Sequence, residues 1–75
     1  MPSSIPAVPG AKVVKALEKL GFTVTRTSGS HHVTRHPDGR SVSVPVHAGK
    51  DVPKGTLRGV LAAVGITPDE FRSLL

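Results

Sequence analysis

Residues 22–46, FTVTRTSGSHHVTRHPDGRSVSVPV, are the stretch of sequence that decides the fold. Apolar and polar residues alternate with a period of two at its start and at its end, which is typical of half-buried strands. Residues 27–30 (TSGS) and 37–39 (PDG) interrupt the alternation with residue types that favour tight turns. The stretch therefore predicts a meander of three antiparallel strands, the second of which runs from His31 to about His36.

Two amphipathic helices are predicted on either side of these strands. The first begins near Ala11 and is closed by Gly21, and the second begins near Gly55 and is closed by Gly65. The apolar residues that recur at helical spacing are Val13, Val14, Ala16, Leu17 and Leu20 in the first helix, and Leu57, Val60, Leu61 and Val64 in the second. Both helices are expected to cover the same face of a small sheet. Pro45 has no backbone N–H to donate, so the third strand ends there or lies at an edge.

The C-terminal residues predict a third, short helix. Thr67 has the residue type of an N-cap, Pro68 suits the first helical position, and Glu70 completes a capping box. Ile66 and Phe71 are spaced as a hydrophobic staple across the start of the helix.

These elements predict an α+β fold in one small domain. Its order is α-β-β-β-α, with a three-stranded antiparallel sheet covered by helices on one face and a short extra C-terminal helix. Residues 1–10, which hold three prolines, are expected to form an extended arm, and residues 11–75 the domain. A domain of this length buries only roughly 60% of the surface of its unfolded chain, so its stability is expected to be marginal.

Composition excludes several classes of function. The chain has no cysteine, which rules out disulfides, thiolate zinc sites and a cysteine nucleophile. No targeting signal is visible, and the longest apolar run, residues 60–64, is too short to span a bilayer. A cytoplasmic protein with no membrane partner is expected.

The charge of the chain predicts a polyanionic partner. Ten Lys and Arg residues against five Asp and Glu give a formal net charge of +5. The chain has no Trp or Tyr and only two Phe, so it lacks aromatic side chains on which bases could stack. Contact with phosphate and ribose is therefore favoured over base reading. The alternatives are that the charge only keeps the domain in solution, or that it binds an acidic protein.

Three of the four histidines lie close together, at positions 31, 32 and 36. In a strand His32 and His36 share a face while His31 points the other way, so no metal site is expected. His32 and His36 are interpreted as ordinary polar strand residues. His31 follows the Gly29-Ser30 turn at the start of a rigid element, where an imidazole can exchange protons near neutral pH. Cleavage of RNA by its own 2′-hydroxyl requires such a group, but residue type alone leaves a catalytic role open.

Five ordered blocks of the chain resemble the HicA family of toxin ribonucleases, over about residues 8 to 75. The blocks are KVVKALEKLGF (12–22), GSH (29–31), HPDG (36–39), VPVH (44–47) and GTLR (55–58). The sequence departs from the family in its Pro-rich arm and at Pro9-Gly10, where relatives often carry Ser-Gly. It also departs at Arg26-Thr27, where relatives commonly carry an amide-containing stretch.

The resemblance implies a double-stranded-RNA-binding-domain-like fold and the toxin component of a type II toxin–antitoxin system. The implied activity is cleavage of mRNA by an endoribonuclease that needs no metal or cofactor, and the implied partner is a HicB-type antitoxin that holds the toxin inactive. The family's histidine directly follows the serine and so corresponds to His31, whereas His32 falls on a variable position. His47 matches a second, less decisive histidine and is a possible auxiliary residue.

The candidate RNA-binding residues lie in the turn before His31 and around the start of the second helix. They are Gly29, Ser30, Lys50, Lys54, Thr56 and Arg58. In this hypothesis His31 acts as the base on the ribose 2′-hydroxyl, and a nearby Lys or Arg stabilises the phosphate charge. The alternative is a non-catalytic double-stranded-RNA-binding module, which explains the basic charge and the order of elements but not Gly29-Ser30-His31.

Overall fold

Six elements follow one another along residues 5–75, the part of the chain that the computed structural model describes. They are α1 (Gly10–Lys19), β1 (Thr23–Ser28), β2 (His31–Arg35), β3 (Ser41–Pro45), α2 (Lys54–Val64) and α3 (Pro68–Ser73). The strands form one antiparallel sheet in the order β1, β2, β3. The predicted fold class and order of elements are confirmed. No helix in residues 5–75 is long and apolar enough to cross a membrane.

One face of the sheet is buried beneath the helices. Thr34, Val42 and Val44, which are 0%, 5% and 0% exposed, point towards α1 and α2, and both helices contact β3. The alternate residues of β2 and β3 point the other way, and His31 and Arg35 among them are exposed, whereas Val33 is half-buried. Both helices thus cover the same face, as predicted. We call the opposite face, which carries His31, Val33 and Arg35 and lacks a helix within the described residues, the outer face.

The contact between Arg40 and α2 shows in which direction that helix runs relative to β3. The guanidinium of Arg40, the residue just before β3, donates a hydrogen bond to the carbonyl of Val64, the last residue of α2. Because α2 ends where β3 begins, the helix runs antiparallel to β3. The first turn of α2 therefore lies at the end of the domain where β3 stops.

The first helix begins at the same end. The backbone of Gly10 lies so close to the end of β3 that a Cβ atom on it would be 2.2 Å from the Pro45 carbonyl oxygen. At the other end of α1 the His36 ring donates to the carbonyl of Leu20 at 3.1 Å. Both helices therefore start where β1 stops, β2 starts and β3 stops. We call this the His31 end, comprising Gly10, residues 28–31 and residues 45–56.

Several predicted boundaries of the strands are corrected by one or two residues. β1 continues to Ser28, so the turn before β2 has two residues, Gly29 and Ser30, and not the four expected. Gly29 has φ of 57°, a conformation that glycine adopts readily in a two-residue hairpin turn. β2 stops at Arg35, one residue before the predicted end, because the backbone of His36 turns to pair with that of Arg40.

The helix ends differ in how they are capped. In α3 the Glu70 N–H donates to the Thr67 hydroxyl at 3.1 Å and the Thr67 N–H donates to the Glu70 carboxylate at 2.9 Å, so the predicted capping box is confirmed. The N-cap residues of α1 and α2 are Pro9 and Pro53, and neither has a side-chain capping bond. The first N–H groups of both long helices therefore have no side-chain acceptor among residues 5–75.

Part of the predicted N-terminal arm is packed against the core. Ile5 and Val8 are each 6% exposed, and the Val52 N–H donates to the Val8 carbonyl at 2.9 Å. Residues 1–4 of the predicted arm lie outside the described residues. The buried part of the arm joins the loop before α2 to the start of α1.

Asp38, in the turn between β2 and β3, is expected to make the stability of the domain depend on pH. The backbone N–H of Arg40 donates to its carboxylate at 3.0 Å and the Arg40 side chain at 2.7 Å. The backbone hydrogen bond is the largest of the causes that lower the pKa of Asp38 below its usual value. Since folding favours the charged carboxylate, its stabilisation is present above about pH 4 and is lost as the pH falls further.

We therefore expect Asp38→Asn to unfold at a lower urea concentration than the wild-type chain near neutral pH. The difference between the two urea concentrations should be smaller at about pH 3, where the wild-type carboxylate is also losing its charge. An equal difference at both pH values would contradict the proposed stabilisation by the charged Asp38 carboxylate.

Candidate functional site

His31 is the first residue of β2, and its imidazole is exposed on the outer face. The strand is held on both sides at this point, because His31 pairs with Ser28 of β1 and with Pro45 of β3. Just before it, the Ser30 carbonyl accepts a hydrogen bond of 2.6 Å from the N–H of Val46. A backbone fixed from two directions therefore presents an accessible imidazole.

The neighbouring His32 has a different environment. It pairs with Thr27 and Val44, so its side chain lies on the face that α1 and α2 cover. Its Nδ1 atom is buried and has no hydrogen-bond partner among the described residues. The prediction that His31 and His32 point to opposite faces is confirmed, and only His31 is open to a ligand on the outer face.

His36 is a structural residue at the far end of the domain. Its Nε2 donates to the Leu20 carbonyl, and its ring centroid lies 5.1 Å from that of Phe22. The guanidinium carbon of Arg40 lies 5.2 Å from the centre of the same Phe22 ring. The interpretation of His36 as an ordinary polar strand residue is wrong: it ties the end of α1 to the turn between β2 and β3.

His47 belongs to the His31 end. It is exposed and lies two residues after Pro45, the partner of His31, and its carbonyl accepts a bond of 3.1 Å from the Lys50 N–H. The adjacent Val46 is hydrogen-bonded to Ser30, so the backbone segments of the two histidines are joined directly.

The predicted phosphate-binding residues fall into two groups. Lys50, Lys54 and Thr56 are exposed at the His31 end, the last two in the first turn of α2. That turn has no side-chain cap and no acidic residue, and neither has the first turn of α1. Asp51 is the one acidic residue of this end. The N-terminus of a helix carries a partial positive charge, so two such termini and two lysines outweigh that carboxylate and make this end attractive to anions.

Arg58 is placed differently from the lysines. It lines a shallow pocket with Ile5, Ile66, Thr67 and other residues around the start of α3. These neighbours lie towards the far end of α2, so the structure does not group Arg58 with His31.

Two arginines outside the predicted set share the outer face with His31. Arg35 lies four residues further along β2, and Arg26 of β1 pairs with Val33 between them. The alternation along β2 already places Arg35 on the same face as His31, whereas the alternation from Phe22 and Val24 places Arg26 on the buried face, so Arg26 could not be joined to His31 from the sequence.

A comparison with protein families adds an independent finding to this geometry. The model of a family described as "HicA toxin of bacterial toxin-antitoxin" matches residues 10–66, which is more than half of the chain. The matched range includes α1, the sheet and α2, and with them every residue of the predicted site. No curated protein matches the chain.

Proposed function

Because this chain belongs to the HicA family of bacterial toxin–antitoxin toxins, we propose that it is an endoribonuclease that cleaves mRNA in the cytoplasm. A member of this family is the toxin of a toxin–antitoxin system and has a cognate antitoxin as its partner. The observation that supports a catalytic role for His31 is its placement: an exposed imidazole on a strand held from both sides, at the end where both long helices begin.

The proposed reaction uses the ribose 2′-hydroxyl of the substrate as its nucleophile. The His31 imidazole accepts the proton of that hydroxyl, and the 2′-oxygen forms a bond to the adjacent phosphorus. The bond from phosphorus to the 5′-oxygen of the next nucleotide breaks, and that oxygen takes up a proton. The products are a 2′,3′-cyclic phosphate and a 5′-hydroxyl. His47 is the proposed donor of the second proton, since its segment is bonded to that of His31.

The same proposal assigns the phosphates to the positive His31 end. Lys50 and Lys54, with the N–H groups around Thr56, bind the backbone on one side of the cleaved bond. Arg58 is not part of this set, because it lies among the residues around the start of α3. The backbone of the Gly29-Ser30 turn contacts the nucleotide beside His31. Contacts of this kind fix the position of the RNA without reading its bases.

A HicB-type protein is the proposed antitoxin. A partner seated on the His31 end would exclude RNA from the imidazole and the lysines together. It would also stabilise a small domain of marginal stability, because it binds only the folded state.

The reaction is tested with an oligoribonucleotide that carries a single 2′-deoxynucleotide. We expect the purified chain to leave the bond after the deoxynucleotide intact, while it cleaves the all-ribose oligonucleotide there to a cyclic phosphate in the presence of a chelator. A deoxynucleotide placed at a bond that is not cleaved is the control. Cleavage at the deoxy position, or loss of all cleavage with the chelator, would contradict the proposed chemistry.

A further inference from the structure

Among residues 5–75, every charged side chain that the strands place on the outer face is positive. Arg26 and Arg35 are exposed on it beside His31, and none of the five acidic residues of the chain lies in a strand. Neither guanidinium has a hydrogen bond or ion pair with a described residue. Two unpaired arginines beside His31, on a surface that otherwise consists of serine, threonine, valine and proline, are complementary to a polyanion.

A β-bulge turns Arg26 towards this face. Val24 pairs with Thr34 on the buried face, and the next pair is Arg26 with Val33, so Thr25 is the extra residue of β1. In a regular strand Thr25 would lie opposite Val33, and Arg26 would lie opposite His32 on the other face of the sheet. The inserted residue reverses this, as bulges beside functional sites commonly do. The β-bulge thus places a second arginine, in addition to Arg35, on the same face of the sheet as His31.

The positions of these side chains form a continuous path. His31, Val33 and Arg35 follow one another on the outer face of β2 at intervals of roughly 7 Å, and Arg26 lies on the neighbouring strand roughly 5 Å away, opposite Val33. Both arginines therefore flank Val33, and the path leads along the strand to the imidazole.

We infer that the outer face binds the sugar–phosphate backbone of single-stranded RNA, and that Arg26 and Arg35 hold the phosphates that lead to His31. The inference rests on the proposed function and names the path of its substrate. Three strands span about 10 Å, a width suited to one strand of RNA. Open sheet faces bind single strands elsewhere, usually with aromatic residues that stack on the bases. The outer face has none in its strands, so the binding is expected to be tolerant of sequence.

Binding is measured with a fluorescent 2′-O-methyl oligoribonucleotide, which lacks the nucleophilic hydroxyl and so stays intact with the wild-type chain. We expect Arg26→Gln and Arg35→Gln each to lower the affinity by about tenfold. Each should also reduce the slope of log affinity against log salt by about 0.7, the value for one phosphate contact on a single strand.

Two controls distinguish the effect of the position of the arginine on RNA affinity from the effect of net charge. The double variant Arg26→Thr/Thr27→Arg keeps the composition and the charge but moves the guanidinium to position 27, which pairs with His32 on the other face and is exposed. It should lose as much affinity as Arg26→Gln. Lys15→Gln, on the exposed surface of α1, removes the same charge from the helical layer and should bind nearly as the wild type does.

The outcomes distinguish this inference from the proposed function. Wild-type affinity in the exchanged variant, or a larger loss for Lys15→Gln than for the arginine variants, would overturn the RNA path while leaving cleavage by His31 in place. Failure of the wild-type chain both to bind the probe and to cleave all-ribose RNA would overturn the proposed function together with the path.

Discussion

His31→Ala is expected to lower the rate of RNA cleavage by about 10²- to 10⁴-fold, the usual contribution of a positioned acid–base group. Growth arrest on induction of the chain should be lost with it. The stability of the fold should change little, because the His31 side chain is exposed and makes no hydrogen bond within the described residues. Single-turnover cleavage and a urea unfolding curve, measured on the same preparation, check both parts of this expectation.

The neighbouring imidazole gives a matched control for that variant. His32→Ala removes the same group one residue away, but from the covered face of the sheet. It should destabilise the domain slightly and leave the rate per folded molecule within a few-fold of wild type. A His31→Ala protein that still cleaves RNA at the wild-type rate would rule out His31 as the acid–base group. A wild-type chain that binds RNA without cleaving it would favour the non-catalytic binding module.

Gly10→Ala should lower the free energy of unfolding by about 1–3 kcal/mol, the cost typical of overpacking. The added Cβ would lie 2.2 Å from the Pro45 carbonyl oxygen and 2.9 Å from the Val46 Cα. These are backbone atoms, so they cannot rotate away as the end of a flexible side chain would. Relief requires the start of α1 to move away from the end of β3. Thermal unfolding checks the result, and a domain of this size loses roughly 4–8 °C per kcal/mol.

Gly55→Ala is the matched control for Gly10→Ala. Gly55 is the second residue of α2, and a Cβ atom there would meet no described residue outside its own helical turn within 4 Å. Alanine favours a helix over glycine by up to about 1 kcal/mol, so this variant should be as stable as the wild type or more stable. Destabilisation of similar size in both variants would mean that the close approach of Gly10 to β3 is not the cause.

Features that depend on neighbouring residues were predictable from the sequence. The capping box of α3 needs only Thr67 and Glu70, three positions apart, and the sequence contains both. The strands follow from alternation and from the turn residues around Gly29 and Gly39. The placement of His31 at the start of a strand follows from the same local pattern, whereas its proposed role depended on the family resemblance.

Features that depend on distant partners were not predictable. Leu20 lies 16 residues from His36, and Val64 lies 24 residues from Arg40, so no local spacing could indicate either hydrogen bond. Arg26 was missed for a different reason. A period of two from Phe22 and Val24 places it on the buried face, and the bulge at Thr25 that reverses this leaves no mark in the alternation.

The separation between the His31 end and the end where the two long helices stop also matters for how such a protein tolerates mutation. The bonds from His36 and Arg40 fasten α1 and α2 at one end of the domain, whereas the candidate chemistry lies at the other. Alleles that relieve a bacterium of this toxin should therefore divide into two kinds. Changes at the fastened end reduce the amount of folded protein, and changes beside His31 leave an abundant, inert chain that can still sequester the antitoxin.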